Sequence, residues 1–199
     1  PNALPTDRYV TAEARLQFYE RLLQRVSILP GVVNVALSSS VPIRGYEGSR
    51  KLAVEGRADP PPGLEPVADY VMVTPDFFPT LGLQLLEGRL LPDDVRADGP
   101  RVAVVNETVA RQFWPGESAV GKRIGDTDPR QRNWTEVIGV VRDVGFVANF
   151  GLPETRLQVY RPLVQEPWGY LAVSVRAKHP ERLAEPLRPA VAEIDPALP

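Results

Sequence analysis

Hydrophobic residues recur at helical spacing near the start of the chain and then alternate with polar ones. Between residues 11 and 29, the helical positions are occupied by Leu16, Tyr19, Leu23 and Val26. Thr11 can cap this helix, and Pro30-Gly31 is a stop signal. Residues 32–39 alternate between apolar and small or polar side chains, as a half-buried strand does. The pattern therefore predicts an amphipathic helix followed by a strand.

The other end of the chain repeats these two patterns in the opposite order. Residues 169–176 alternate as a strand, and the segment from Pro180 to Ile194 has helical spacing. Pro186 and Pro189 lie inside that segment, and each removes a backbone donor, so we expect a kinked or two-piece helix. The mirrored order predicts that the two ends build one α/β subdomain and that the middle is inserted into it.

The middle of the chain contains short elements separated by loops rich in proline and glycine. Strands are predicted at about 50–56, 68–74, 101–105, 120–125, 134–142 and 157–160. Thr74 can cap a short helix that Gly82 ends, and Asn106 can cap a second one. We therefore predict an α+β fold of two subdomains, the smaller built from 1–44 and 168–199 and the inserted one from 45–167.

Composition and charge narrow the class of protein. The 199 residues include 43% apolar and 24% charged residues, close to soluble globular averages, and a chain of this size buries roughly 70% of its unfolded surface. Uninterrupted apolar runs are only a few residues long, whereas a membrane-spanning helix needs about 20. We therefore expect a soluble chain. Because it starts at Pro1 without a signal peptide and stops at DPALP without a cap or charged tail, we also expect it to be a piece of a longer protein.

Charge and cysteine content exclude several functions. The 23 basic and 25 acidic residues are dispersed, without the basic run of a nucleic-acid-binding protein, so no nucleic acid partner is predicted. The absence of cysteine excludes disulfides, thiolate metal sites and cysteine nucleophiles. This composition suits an oxidising periplasm and is also common in cytosolic domains.

One segment imitates a phosphate-binding loop. GESAVGKR at 116–123 has Gly116 and Gly121-Lys122 at the right spacing, but Arg123 stands where Ser or Thr would hold magnesium. The segment also runs from a predicted helix into a predicted strand, so no helix N-terminus faces a phosphate. We interpret it as a structural turn. The alternative is a soluble nucleotide-handling enzyme that uses the Gly116–Lys122 loop.

Other candidate chemistry is better explained by structure. His179 is the only histidine, no G-x-S-x-G elbow is present, and an exposed or capping histidine is expected. The carboxylate pairs Asp93-Asp94 and Asp126/Asp128 lie in loops without a calcium pattern, so they are predicted to be solvated. Four aromatic residues are predicted to anchor the core rather than cage a ligand: Phe77, Phe78, Phe113 and Trp114. No catalytic, cofactor-binding or metal-binding residue is predicted.

Two segments carry a family resemblance that covers nearly the whole chain. The first, VTPDFFPTLGLQLLEGR at 73–89, is similar to V-T-P-x-F-F-x-x-L-G-x-x-L-x-x-G-R. The second, at 102–124, is similar to V-x-V-V-N-x-x-x-A-R-x-F-W-P followed by G-K-R-I. VIGVVRDV at 137–144, LPGV at 29–32 and IDPALP at 194–199 follow in the expected order. Together they resemble the periplasmic core domain of MacB-type ABC transporter permeases, which include FtsX-like relatives.

The resemblance implies a fold, a location and partners. It implies a porter-like subdomain from the chain ends and a sabre-like insertion, placed between the first two transmembrane helices of a bacterial inner-membrane protein. It also implies a periplasmic domain without catalytic residues or cofactors, which transmits conformational change and contacts a partner or cargo during efflux. The implied partners are the rest of the permease, a cytoplasmic ATPase domain or subunit, a periplasmic adaptor and a second permease copy.

Overall fold

The computed structural model describes residues 2–5, 7–40, 48–130, 132–144, 146–148, 152–154 and 157–196. Within these ranges the helices are α1 (Ala12–Ser27), α2 (Phe77–Leu81), α3 (Glu107–Phe113) and α4 (Ala184–Ile194), with a 3-10 turn at Pro180–Arg182. The strands are β1 (Asn2–Ala3), β2 (Val32–Ser38), β3 (Ser49–Val54), β4 (Val67–Val73), β5 (Leu85–Gly88), β6 (Val102–Asn106), β7 (Arg123–Asp126), β8 (Thr135–Val141), β9 (Phe146–Ala148), β10 (Leu152–Glu154), β11 (Leu157–Pro162) and β12 (Tyr170–Ala177). The mixed α+β class predicted from the sequence is confirmed.

Helix α1 forms where the sequence predicts it and buries one face. The Thr11 side chain accepts a hydrogen bond from the Ala14 backbone N–H at 3.1 Å, which satisfies one donor of the first turn. Glu13 near the start and Arg25 near the end both suit the helix dipole. The buried residues of the helix are Phe18, Tyr19, Leu22 and Val26. This face supplies much of the core beneath the end strands.

The two ends of the chain lie in one sheet, as their mirrored order predicts. Strand β12 pairs antiparallel with β2 on one side and with β1 on the other. Helix α4 packs on α1, and the buried Asp195 at its end accepts hydrogen bonds from Arg8 at 2.6 Å and Tyr9 at 2.8 Å. The predicted boundary at residue 44 lies outside the described residues.

Six strands of the middle segment close into a ring. Their order is β3-β4-β11-β6-β8-β7, and β7 pairs in turn with β3. The pairs β4–β11 and β6–β8 are parallel, and the other four are antiparallel. Because successive strand side chains point to opposite faces, alternate residues can fill the ring. Every ring strand contributes to one apolar cluster: Leu52, Val54, Ala68, Tyr70, Met72, Ala103, Val105, Ile124, Val137, Leu157 and Val159.

The ring and the end strands meet at a short junction. Strand β2 pairs with β4 only at Ser38 and Val73, where the Ser39 N–H donates to Met72 O and the Thr74 N–H donates to Leu37 O. Helix α2 covers this junction and contacts both β2 and β12. A second apolar cluster lies here, in which Phe77, Phe78 and Tyr160 contact one another through their rings. The junction is therefore narrow in backbone pairing but well packed.

The helix start predicted at Thr74 is wrong. Helix α2 begins at Phe77, and Asp76 precedes it without a side-chain cap. The Thr74 hydroxyl instead accepts a hydrogen bond from the Leu37 N–H at 3.0 Å, across the junction. The Thr74 side chain, which the local pattern assigns to the helix cap, thus bonds to a residue that is distant in sequence. The predicted stop at Gly82 is confirmed, because this glycine adopts the left-handed conformation with φ of 72°.

The C-terminal helix is in two pieces, as predicted, but the break precedes both prolines. The 3-10 turn ends at Arg182, and α4 begins after Leu183. Pro186 lies in the first turn, where an N–H has no intrahelical partner and its loss costs little. Only Pro189 lies beyond the first turn, in the interior of α4. Among the described helices, none combines the length and apolar character needed to cross a membrane.

Candidate functional site

The segment that imitates a phosphate-binding loop connects α3 to β7. Gly116 and Gly121 both have positive φ, at 79° and 83°, so the glycines serve backbone turns. The Lys122 ammonium lies 2.8 Å from the Glu117 carboxylate, and this hydrogen bond holds the pKa of Glu117 below its ordinary value. Arg123 pairs with Glu55 at 2.8 Å. The loop thus leads from a helix into a strand, and Lys122 already forms an ion pair with a carboxylate of the same loop.

We expect calorimetry with ATP and magnesium to detect no saturable binding at this loop. Lys122 is paired with Glu117, and Arg123 lacks the hydroxyl that would hold the metal. Lys122→Ala should therefore leave the titration unchanged, as should Lys178→Ala, a control outside the loop. Saturable binding lost only in Lys122→Ala would favour the nucleotide-handling enzyme.

The remaining candidates from the sequence do not come together. His179 is exposed, with Nδ1 3.4 Å from Glu181, and Asp93 is exposed in its loop. The Asp126 side chain accepts a hydrogen bond from the Asp128 N–H at 2.8 Å, as in a local turn. In the described part of the chain, no three or more His, Cys, Asp or Glu side chains gather as metal ligands. The predicted core positions of four aromatic residues are confirmed: Phe77, Phe78, Phe113 and Trp114.

A polar cleft of about 360 Å³ opens at one end of the strand ring. It lies where β4, β7 and β11 end and where β3, β6 and β8 begin. Four arginines line it, one from each of four separate segments: Arg50, Arg101, Arg130 and Arg161. The other lining residues are Tyr70, Gly125, Asp126, Asn133, Thr135 and Glu166. The lining residues therefore carry four guanidinium groups and two carboxylates.

Glu166 organises two of these arginines. Its Oε2 lies 2.9 Å from Arg161 Nη1, and its Oε1 accepts a hydrogen bond from Arg50 Nη2. The Arg50 guanidinium also lies over the rings of Tyr70 and Trp168, at 5.2 Å and 5.9 Å from their centroids. Arg161 is only 6% exposed, and burial lowers its pKa while the nearby Glu166 opposes that shift. With two guanidinium groups against one carboxylate, this corner of the cleft is positively charged.

Sequence reasoning missed this cleft because its arginines are far apart in the chain. One local signal was present: Arg161 interrupts the buried strand LQVYRP, in which every residue of β11 is buried. A charged residue at such a position is rarely buried without a charged partner. Only the ring closure shows which other arginines lie beside it.

A second, more apolar groove of about 310 Å³ runs along α1. Leu16, Tyr19 and Leu23 form its helical side. Its other side consists of Val73, Thr74 and Pro75 at the junction and of the segments at 92–95 and 162–164. The groove therefore borders both the end helix and the ring.

The comparison with protein families settles which class of domain this is. The model described as MacB-like periplasmic core domain matches residues 5–189. The chain belongs to this family. The resemblance identified from the two sequence segments is thereby confirmed. As a MacB-like periplasmic core domain, it is a periplasmic domain of an ABC transporter permease, which works with membrane-spanning and ATPase parts.

Solved structures of other transporter domains share this fold. The periplasmic region of MacB from Actinobacillus actinomycetemcomitans superposes with a TM-score of 0.57 at 18% identity, over 87% of this chain and 70% of that one. The extracellular domain of the ABC-type transporter YknZ from Gram-positive bacteria gives 0.58 at 16% identity, over 88% and 80%. No curated protein matches the sequence. The MacB-like domain thus keeps its fold at low sequence identity.

Proposed function

We propose that this MacB-like domain is a non-catalytic relay, which transmits conformational change from the membrane part of its permease and contacts a partner or cargo during efflux. The observation that supports this best is the junction between the end unit and the ring. We assign residues 1–44 and 168–199 to a porter-like unit and 45–167 to a sabre-like insertion. In this scheme a movement of the first unit reaches the second through β2, β4 and α2.

The end unit is built to receive such a movement. Buried Asp195 ties the end of α4 to Arg8 and Tyr9, and Arg25 pairs with Glu193 at 2.6 Å. The two ends of the domain are therefore held side by side. Flanking membrane helices would act on one packed unit rather than on two independent tails.

The junction is built to pass the movement on. Thr74 bonds to Leu37 through both its backbone N–H and its hydroxyl, and the Arg176 guanidinium on β12 donates to Thr80 O of α2 at 3.0 Å. Close packing of Phe78 against Tyr160 makes the connection stiff. A stiff element with few connections is what a mechanical relay requires.

We further propose that a periplasmic adaptor and a second copy of the permease are partners of this domain. The family match motivates this proposal, because a periplasmic domain is the part of a permease that other components outside the membrane can contact. The ATPase part lies elsewhere in the transporter and provides the energy.

The relay predicts an uncoupled phenotype for junction variants. In the intact transporter, Arg176→Gln combined with Thr74→Val should reduce transport about fivefold, since residues that couple distant sites contribute roughly 1 kcal/mol. ATP hydrolysis should continue, because the nucleotide site is not altered. Transport and ATP hydrolysis are measured on the same reconstituted preparation.

Arg96→Gln is the matched control, because Arg96 is exposed and pairs only with Asp98 among the described residues. It should transport at the parental rate. Full transport in the double variant would contradict the relay, provided that the thermal transition shows both variants to be folded.

A further inference from the structure

We propose that the cleft at the end of the strand ring binds a small anionic molecule through a phosphate or carboxylate group. The cleft presents four guanidinium groups and two carboxylates. An arginine fork matches either oxyanion with two parallel hydrogen bonds. The proposal concerns a ligand site and does not depend on the relay function.

Arg161 provides the strongest reason. Only 6% of Arg161 is exposed, yet Glu166 accepts a hydrogen bond only from its Nη1. In the described structure its Nε and Nη2 have no hydrogen-bond partner. Buried polar groups are nearly always paired, and a charged group left half-satisfied is costly. Because Arg161 lines the cleft, a ligand oxyanion there would add a compensating negative charge beside this incompletely satisfied guanidinium.

The rim of the cleft offers charge that is not neutralised. Arg101 and Arg130 are exposed, and within the described residues neither side chain forms an ion pair. The two carboxylates cancel only part of the charge, because four guanidinium groups against two carboxylates leave an excess of two positive charges. Glu166 is shared by Arg50 and Arg161, and Asp126 accepts from the Asp128 backbone. The free positive charge therefore points to an anion.

The dimensions of the cleft fix the size of the ligand. A volume of about 360 Å³ is at the lower end of the range for small-molecule sites. Tyr70 and the buried Thr135 form part of its wall. A small molecule with one or two anionic groups fits this space, and its attraction to the rim should weaken as salt screens the arginines.

The test is a titration of the 199-residue chain with inorganic phosphate and, separately, with succinate, followed by amide chemical shifts. We expect saturable binding of at least one anion, with shifts at the cleft residues. Arg101→Gln should weaken that binding about tenfold, because a charge-assisted hydrogen bond is lost. Arg161→Lys should weaken it similarly, since lysine keeps the charge and loses the fork.

Arg188→Gln is the matched control, because Arg188 is an exposed arginine on α4 outside the cleft. It should bind as the parent does. Absence of saturable binding for both anions would overturn the proposal, and so would equal weakening by Arg101→Gln and Arg188→Gln. If Arg161→Lys does not fold, the exposed Arg101→Gln still decides. Saturable binding of phosphate alone, or of succinate alone, supports the site and identifies which anionic group it prefers.

Discussion

Gly139→Ala is expected to lower the free energy of unfolding by at least about 3 kcal/mol. An alanine Cβ at this position would lie 2.1 Å from Arg89 O and 3.0 Å from Arg89 C. Both are backbone atoms, so no side chain can move aside. Gly139 pairs with Gly88 between β8 and β5, and the two glycines allow this close approach.

To accommodate the alanine, β8 would have to move away from Arg89, and this movement would extend into the strand ring. Strand β8 is paired to β6 with a register shift between Ala103 and Val104, which marks a bulge beside Gly139. Moving β8 away from Arg89 therefore disturbs the bulge and the β5 pairing together. Urea unfolding measures the loss, and the thermal midpoint should fall by about 6 to 12 °C.

Gly169→Ala is the control for Gly139→Ala. A Cβ at Gly169 meets no atom within 4 Å, and this glycine is not among those with positive φ. Its stability should match the parent or exceed it slightly, because alanine restricts the unfolded chain. Equal stability of Gly139→Ala and the parent would show that the strands separate without cost, contrary to the packing described.

Asn106→Ala is expected to cost about 3 kcal/mol, more than a helix cap alone contributes. The Asn106 side-chain oxygen accepts hydrogen bonds from the Val109 N–H at 3.3 Å and from the Gln158 N–H at 3.0 Å. The residue is 0% exposed, so water cannot replace the lost acceptor. The substitution removes a cap of α3 and leaves an N–H of β11 unpaired in the core.

Thr11→Ala provides the comparison, because Thr11 also caps a helix but is exposed, and in the described structure its side chain bonds only to the Ala14 N–H. It should cost about 1 kcal/mol. Chemical denaturation of the two variants gives the difference. Equal losses would mean that the Gln158 bond contributes nothing.

The sequence by itself determined the features that depend on neighbouring residues. The caps at Thr11 and Asn106, the stop at Gly82 and the positions of the end strands were predicted correctly, because each rests on spacing within a few residues. The alternating burial predicted for the end strands was wrong, since Val33 and Val173 are exposed while Ala36 and Ala172 are buried. The mirrored order also predicted that the two ends belong together, and β2 and β12 are paired. The two motif segments were sufficient to identify the family.

Tertiary structure decided which particular residues of distant segments meet. Strand β5 was not predicted, because it depends on the glycine contact with β8, and Thr74 bonds to Leu37 instead of capping α2. The second partner of Asn106 is 52 residues away. The arginine cleft exists only because the ring closes and brings four segments to one end. No local pattern records such contacts, since their energy depends on which surfaces meet once the chain has folded.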